Sequence, residues 1–422
     1  MLAGFSEKDI TPEPGILKIG MLKRITTKSV SDPLYARAAL FKNNADYVGI
    51  IQLDTLSIRA TETRRIRDRI VAATGIKGDR IMVCATHNHA GPAVANAGLC
   101  ERDDVYLDFL VERACAAFQE AANNLQEAEL GFTHVYNFTL AHNRRVVMRD
   151  GTVRTQHRFT DPNALYVEGP IDPEVAVIAA RRPAAGAMLG CILNYACHPV
   201  HSGGDTTLSA GFPGAFAAAM KAADCPVALF LNGASGNIHT LDVTTGTNCT
   251  KEEAGHALAA AAQRALEQMT FESDWPLAAR CSQLDLPYRE VTDAEIRGET
   301  PQTQRFIDST IYDAAMPSLL QRLRERQTQP AEVQTFRIGP VGLTGIPGEY
   351  FVEHGLRIKT SVTPLHALVA GCTNGMVGYV PTREAFTRGG YETTFAPTSR
   401  LAPEAGDILA DTAIAMLNSL SC

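Results

Sequence analysis

The stretch Arg80-Ile81-Met82-Val83-Cys84-Ala85-Thr86-His87-Asn88-His89-Ala90-Gly91-Pro92 starts as a short apolar run and ends in two imidazoles, a glycine and a proline. A run of this length and composition reads as a buried β-strand. Gly91 and Pro92 mark the break into a loop. Side chains at i and i+2 of a strand point the same way, so both rings are expected to reach one point. Metal-seeking side chains at the carboxyl end of a buried strand are where α/β proteins place their chemistry. The pair therefore reads as half of a metal site. A plainer reading stands beside it, in which the two rings only hydrogen-bond neighbouring carbonyls.

Working outward, strands are expected over 47–53, 81–85, 188–195, 227–231, 333–338, 342–346 and 368–371. Most are continuous apolar runs, which suits strands covered on both faces. Helices are expected over 62–74, 105–123, 214–222, 251–268, 353–359 and 407–420. Thr250 and Glu253 form a capping box at the start of one, and Pro213 precedes another. Strands alternate with helices, so the class is α/β. Residues 287–330 are polar, with weak helical patterning around 319–326. They read as a solvated connecting face, or else as a helical insert or lid. No internal repeat stands out, and 1–422 reads as one domain.

The chain has 422 residues, 45% hydrophobic and 20% charged, an ordinary globular composition. A net charge of -7 offers no bulk attraction to nucleic acid or anionic lipid. There is no apolar run long enough for a membrane span, and no signal peptide is visible at Met1-Leu2-Ala3-Gly4-Phe5-Ser6. The ten cysteines are scattered without Cys-x-x-Cys spacing, as core thiols in a reducing compartment would be. A cytoplasmic protein acting on a small molecule is the expectation, and oligomeric state is not legible.

Further strand-to-loop junctions carry polar groups. They are Cys197-His198-Pro199-Val200-His201, Asn232-Gly233-Ala234-Ser235-Gly236-Asn237-Ile238-His239, Pro347-Gly348-Glu349-Tyr350 and Gly378-Tyr379-Val380-Pro381-Thr382. Taken singly, His198 also reads as a satisfied core histidine, Glu349 as a helix-start carboxylate and Tyr379 as a packed aromatic.

In their order these segments resemble the catalytic domain of the neutral ceramidases, the neutral/alkaline non-lysosomal type. So do Ala3-Gly4-Phe5-Ser6-Glu7-Lys8-Asp9-Ile10-Thr11-Pro12 at the start and Gly389-Gly390-Tyr391-Glu392 near the end. The resemblance implies stacked mixed β-sheets flanked by helices, an αββα-like architecture. It implies a zinc ion held by His87, His198, Glu349 and Tyr379, a set that suits zinc's preference for imidazole and carboxylate donors. It also implies His89, Arg144 and Tyr391 as groups facing the reacting carbonyl, with Arg145 as the alternative if the register slips by one. Asp54 is expected either to orient an imidazole, as partners of metal-bound histidines do, or to be a plain loop cap.

The chain departs from that family at one point. Its Gly-Asp-Val-Ser-Pro-Asn segment corresponds here to Gly236-Asn237-Ile238-His239-Thr240-Leu241, so His239 replaces the serine, and Ser235 is not its equivalent. A metal that lowers the pKa of water from ~15.7 to about 7 needs no serine nucleophile. His239 is then expected to bind substrate, shuttle a proton or add a metal contact. The family's C-terminal immunoglobulin-like domain is not expected, and a small soluble amide, ester or lactone is an easier substrate than a membrane lipid. Competing readings are a true ceramide N-deacylase, an amidohydrolase-type barrel, a metal-dependent isomerase or epimerase of a sugar acid, and a binding protein that kept the fold. The barrel would need further histidines and a late aspartate where the chain has Glu349 and Tyr379.

Overall fold

The computed structural model describes residues 1–184 and 186–421. Its first sheet contains β1 (Leu2–Asp9), β2 (Tyr35–Asn43), β3 (Asp46–Leu53) and β4 (Ile81–Ala85), with α1 (Ala60–Thr74) and α2 (Asp104–Asn123) on its outer face. The second contains β5 (Glu129–Tyr136), β6 (Glu174–Arg181), β7 (Met188–Tyr195) and β8 (Ala228–Asn232), with α3 (Gly211–Ala222) and α4 (Lys251–Glu267) outside. The third contains β9 (Leu277–Pro287), β10 (Thr328–Ile338), β11 (Val341–Gly345) and β12 (His366–Ala370). Helix α5 (Ser309–Glu325) lies between its first two strands, and α6 (Val352–Ser361) and α7 (Ala405–Ser419) cover its outer face.

One plan is repeated three times. In each sheet three strands run antiparallel in chain order. A crossover helix then returns the chain to a fourth strand, parallel to the third. A parallel neighbour cannot be reached by a hairpin, so the helix is required. A second helix closes each unit. The repeat is one of topology and apolar pattern rather than residue identity, which is why it did not stand out in the sequence. Inner faces of all three sheets meet in one core that includes Phe5, Phe41, Ile178, Leu229, Phe336 and Leu343. The architecture is thus stacked mixed sheets flanked by helices, with three sheets sharing the interior.

The expected helices and strands lie within a few residues of observed ones. Thr250 and Glu253 form the expected capping box. Pro213 sits in the first turn of α3, where its missing N–H costs nothing. Beyond β1, which corresponds to the opening strand that the resemblance implies, four of these strands had no counterpart in the sequence reading: β2, β5, β6 and β9. Two of them, β2 and β6, are rich in buried alanine (Ala36, Ala38, Ala39, Ala176, Ala179, Ala180), a residue with low strand propensity. Strand β9 is mostly half-buried or exposed and lacks an apolar run. Residues 287–330 are more than a solvated face, since Met316 and Leu319 of α5 bury against Phe395. Pro317 inside the helix masks its pattern. No helix among the described residues is long and apolar enough to cross a membrane.

Helix α2 approaches β3 so closely that a Cβ at Gly49 would stand 2.4 Å from the Phe118 ring. Phe118 is fully buried between them. Phe118→Ala is expected to cost about 3–5 kcal/mol by leaving a cavity in a site that cannot collapse. A urea titration would show this as a lower midpoint at unchanged slope; an unchanged midpoint would contradict the packing described.

Candidate metal centre

Loops that follow the third and fourth strands of the three units meet at one end of the molecule. His87 and His89 follow β4, His198 follows β7, Glu349 follows β11 and Tyr379 follows β12. His87 is not presented by strand alternation as the sequence predicts. The strand stops at Ala85, and His87 takes a left-handed backbone conformation, φ +67°. That conformation is uncommon outside glycine and is held here by the surrounding chain. Thr86 N–H donates to the Leu53 carbonyl (2.9 Å) and Asn88 N–H to that of Thr55 (3.1 Å). The kink brings the two rings edge to face, with centroids 4.8 Å apart.

Each imidazole is tethered through Nδ1 to a backbone carbonyl. His87 donates to Leu56 (2.8 Å), His198 to Ser235 (2.7 Å) and His89 to Gly20 (3.0 Å). A carbonyl can only accept, so the proton is fixed on Nδ1 and the Nε2 lone pairs face inward. His87 Nε2 lies 2.9 Å from His198 Nε2 and 3.2 Å from His89 Nε2. Glu349 Oε2 lies 3.4 Å from His87 Nε2 and 3.3 Å from His198 Nε2. Neutral lone pairs at such distances repel; a cation among them turns repulsion into binding. These separations match the edge of a tetrahedral zinc site, ~3.3 Å for donors about 2.0–2.1 Å from the ion. The residues therefore fit a divalent metal. The two readings of His-x-His are compatible, because the carbonyl contacts are what aim the rings at one point.

Electrostatics point the same way. Burial opposes charge on His87, yet the neighbouring Cys372 and Glu349 push its pKa well above the usual histidine value. Burial, Arg144 and His87 lower His198 to about 4. Burial, His87 and His198 take His89 well below its usual value. Burial works against the Glu349 carboxylate, but His87 and His198 hold its pKa well below the usual range. The pocket thus concentrates negative potential on one point and accepts one positive charge there.

Glu349 and Tyr379 are directly paired on two short parallel strands. The Tyr379 hydroxyl accepts from Arg144 Nη2 at 3.2 Å, and burial with the neighbouring Glu349 carboxylate pushes its pKa well above the usual value. It flanks the cluster on the glutamate side, and His89 flanks it on the His87 side. Arg144 and Arg145 alternate along one extended segment, so they face opposite ways. Arg144 turns to the cluster; Arg145 turns away to Glu168 and the Gly389 carbonyl. Both grip Glu392, Arg144 Nε at 2.8 Å and Arg145 Nη1 at 2.9 Å. Arg144 Nη2 also donates to the Gly236 carbonyl (2.7 Å). A Cβ on Gly236 would stand 2.5 Å from the Glu349 carbonyl oxygen, so only glycine lets these two loops meet.

His239 is buried and its Nδ1 accepts from the Leu241 N–H (2.8 Å). Burial and Arg144 keep its pKa well below the usual value, so it is neutral. It pairs with His142 and bridges to the His198 backbone, and its ring is not one of the three imidazoles that converge. Tyr391 packs edge-on against Tyr379 (5.6 Å) and lies beside Phe306 of the 287–330 segment (4.6 Å). Asp54 does not orient an imidazole. It accepts from Arg37, Gln52 and the Tyr35 N–H, each at 2.9 Å, and Leu56 takes the role expected of it.

Three contributors escaped the sequence reading. Glu392 stood beside Tyr391, and two adjacent arginines headed for the interior were a signal that a buried carboxylate had to exist. Lys18 is almost fully buried, and its ammonium donates to the Ser202 and Thr207 carbonyls and to Asp205, pinning the 202–207 loop beside His89. The carbonyls of Gly20, Leu56 and Ser235 carry no side-chain signal at all.

No protein-family model and no curated protein sequence matches the chain. Among solved structures it is similar to the neutral ceramidase of Pseudomonas aeruginosa. The TM-score is 0.77 at 19% identity, over 99% of this chain and 74% of that one. It is equally similar to a ceramidase complexed with C2, with TM-score 0.77 and 18% identity over 100% of this chain and 75% of that one. The chain thus has the fold of a neutral ceramidase, as the order of its motifs implied.

Proposed function

We propose that the protein is a zinc-dependent hydrolase that cleaves the amide bond of a small acyl compound, with esters and lactones as lesser substrates. The observation that carries this reading is the convergence of His87, His198 and Glu349 on one point, with an arginine and two tyrosines beside it. Fold likeness alone would not carry it, because one fold hosts many chemistries.

In this reading His87, His198 and Glu349 hold the ion, and Tyr379 completes the set. When bound, zinc supplies Lewis acidity and water of lowered pKa. The chain's own groups do the rest. Arg144 is fixed by Glu392 and Gly236, and it offers a guanidinium N–H to the carbonyl oxygen as negative charge develops there. Tyr391 donates a second hydrogen bond from across the pocket. His89, neutral because of its neighbours, takes a proton from the attacking water and returns it to the leaving nitrogen. Neutral His239 lines the pocket and hydrogen-bonds substrate, where a serine nucleophile is not needed. The 287–330 segment limits access by leaning Phe306 on Tyr391.

Two outcomes follow. His198→Ala is expected to lose one equivalent of metal and nearly all amidase activity with an unchanged circular dichroism spectrum, whereas His89→Ala keeps the wild-type metal content and loses kcat. Metal analysis finding the wild-type zinc content in the first variant, or a lower content in the second, would overturn the ligand assignment. Arg144→Lys keeps the charge facing Glu392 but not the fork geometry, so kcat should fall about 10²-fold with KM little changed. Steady-state kinetics on an acyl-amide panel would check it; a change confined to KM would make Arg144 a substrate anchor instead.

A further inference from the structure

A second convergence of donors lies where the second and third sheets meet, outside the centre just described. His134 on β5, Glu174 at the start of β6 and His366 at the start of β12 bring one ligand atom each within 4.8 Å of one another. His366 Nε2 is 2.5 Å from Glu174 Oε1, and His134 Nδ1 is 3.7 Å from the same oxygen. Lys359 takes the other oxygen, Oε2, at 2.7 Å and also binds Asp172 at 2.5 Å. The carboxylate is thus divided: one oxygen serves the lysine and one faces two imidazoles. The His366 ring is wedged between Phe132 and His134, each 4.8 Å away by centroid, which limits its swing. Both imidazoles are one-third exposed, so an ion and water can reach them, while Glu174 is nearly buried.

From this geometry we infer that His134, Glu174 and His366 form a second divalent-metal site, suited to zinc or a neighbouring transition ion, which ties the second sheet to the third. Two imidazoles and one carboxylate are the donors such ions prefer, with water filling the open positions. The present separations of 2.5 and 3.7 Å straddle the ~3.3 Å donor spacing of a tetrahedral zinc site. Apart from the two imidazoles, Glu174, Asp172 and Lys359 bring one net negative charge to the site, which a dication meets without burying like charge. The donors come from strands in two sheets, so a bound ion cross-links them and stabilises the folded state by an amount that grows with the logarithm of its free concentration.

The test uses the full chain loaded with excess ZnCl₂, desalted, and measured for zinc per protein. Wild type is expected to hold two ions. His366→Gln, His134→Gln and His198→Ala should each hold one, and the His198→Ala/His366→Gln double variant none. The melting temperature of His198→Ala should rise with added ZnCl₂, and that rise should vanish in the double variant. The inference is overturned if His366→Gln and His134→Gln keep the wild-type zinc content, or if His198→Ala holds none and its melting temperature ignores zinc. Should His198→Ala retain two ions while His366→Gln retains one, the corner site stands and the proposed catalytic ligand set fails.

Discussion

Everything at the candidate centre depends on three N–H···O=C hydrogen bonds. An isolated imidazole exchanges its proton between two nitrogens and spins about χ2; a fixed carbonyl at Nδ1 ends both freedoms. Leu56, Ser235 and Gly20 supply those carbonyls from three different loops. The resulting inward Nε2 atoms would repel one another in a dry pocket without a counter-ion or a shared proton. Folding therefore stores unfavourable electrostatics at one point, and the rest of the fold must hold the loops against it. Strand ends can do this because each belongs to a buried sheet whose own hydrogen bonds and apolar contacts fix its position.

The triplicated plan explains why the groups lie so far apart in the chain. Each unit delivers its third and fourth strands in parallel, and their carboxyl ends open toward the same pole. The first unit contributes His87 and His89, the second His198, the third Glu349 and Tyr379. The neutral-ceramidase fold is therefore also an assembly device: no unit carries a complete donor set, and the site exists only once the three sheets share their core.

How much of this was legible in the sequence depended on whether a feature is written in side chains. Apolar runs, the Thr250–Glu253 capping box and the strand-end motifs are, and the helices and buried parallel strands followed from them. The alanine-rich strands are not, because alanine signals helix more readily than strand and only close sheet-to-helix packing explains its use there. Nor is the left-handed turn at His87, which a period-two pattern cannot show. The groups of the candidate centre were recognisable as a set only through their order along the chain. Their partners were mostly backbone carbonyls, invisible to residue type. The buried Glu392 was an intermediate case: its neighbour Tyr391 drew attention, and the charge balance of Arg144 and Arg145 required it.

The Arg144–Glu392–Arg145 arrangement shows why that carboxylate matters beyond charge balance. A buried ion pair gives little net stability, since desolvation offsets attraction. Its worth here is geometric. Arg145 and Thr155 hold Glu392 from one side, so Glu392 can present a rigid acceptor to Arg144 on the other. The Gly389–Thr394 loop that carries Glu392 is itself clamped by Gln302 and Gln304 from the 287–330 segment. A chain of contacts thus runs from that peripheral segment through Glu392 to the guanidinium beside Tyr379. Displacing the segment would therefore shift Tyr391 through Phe306 and the guanidinium of Arg144 through Glu392.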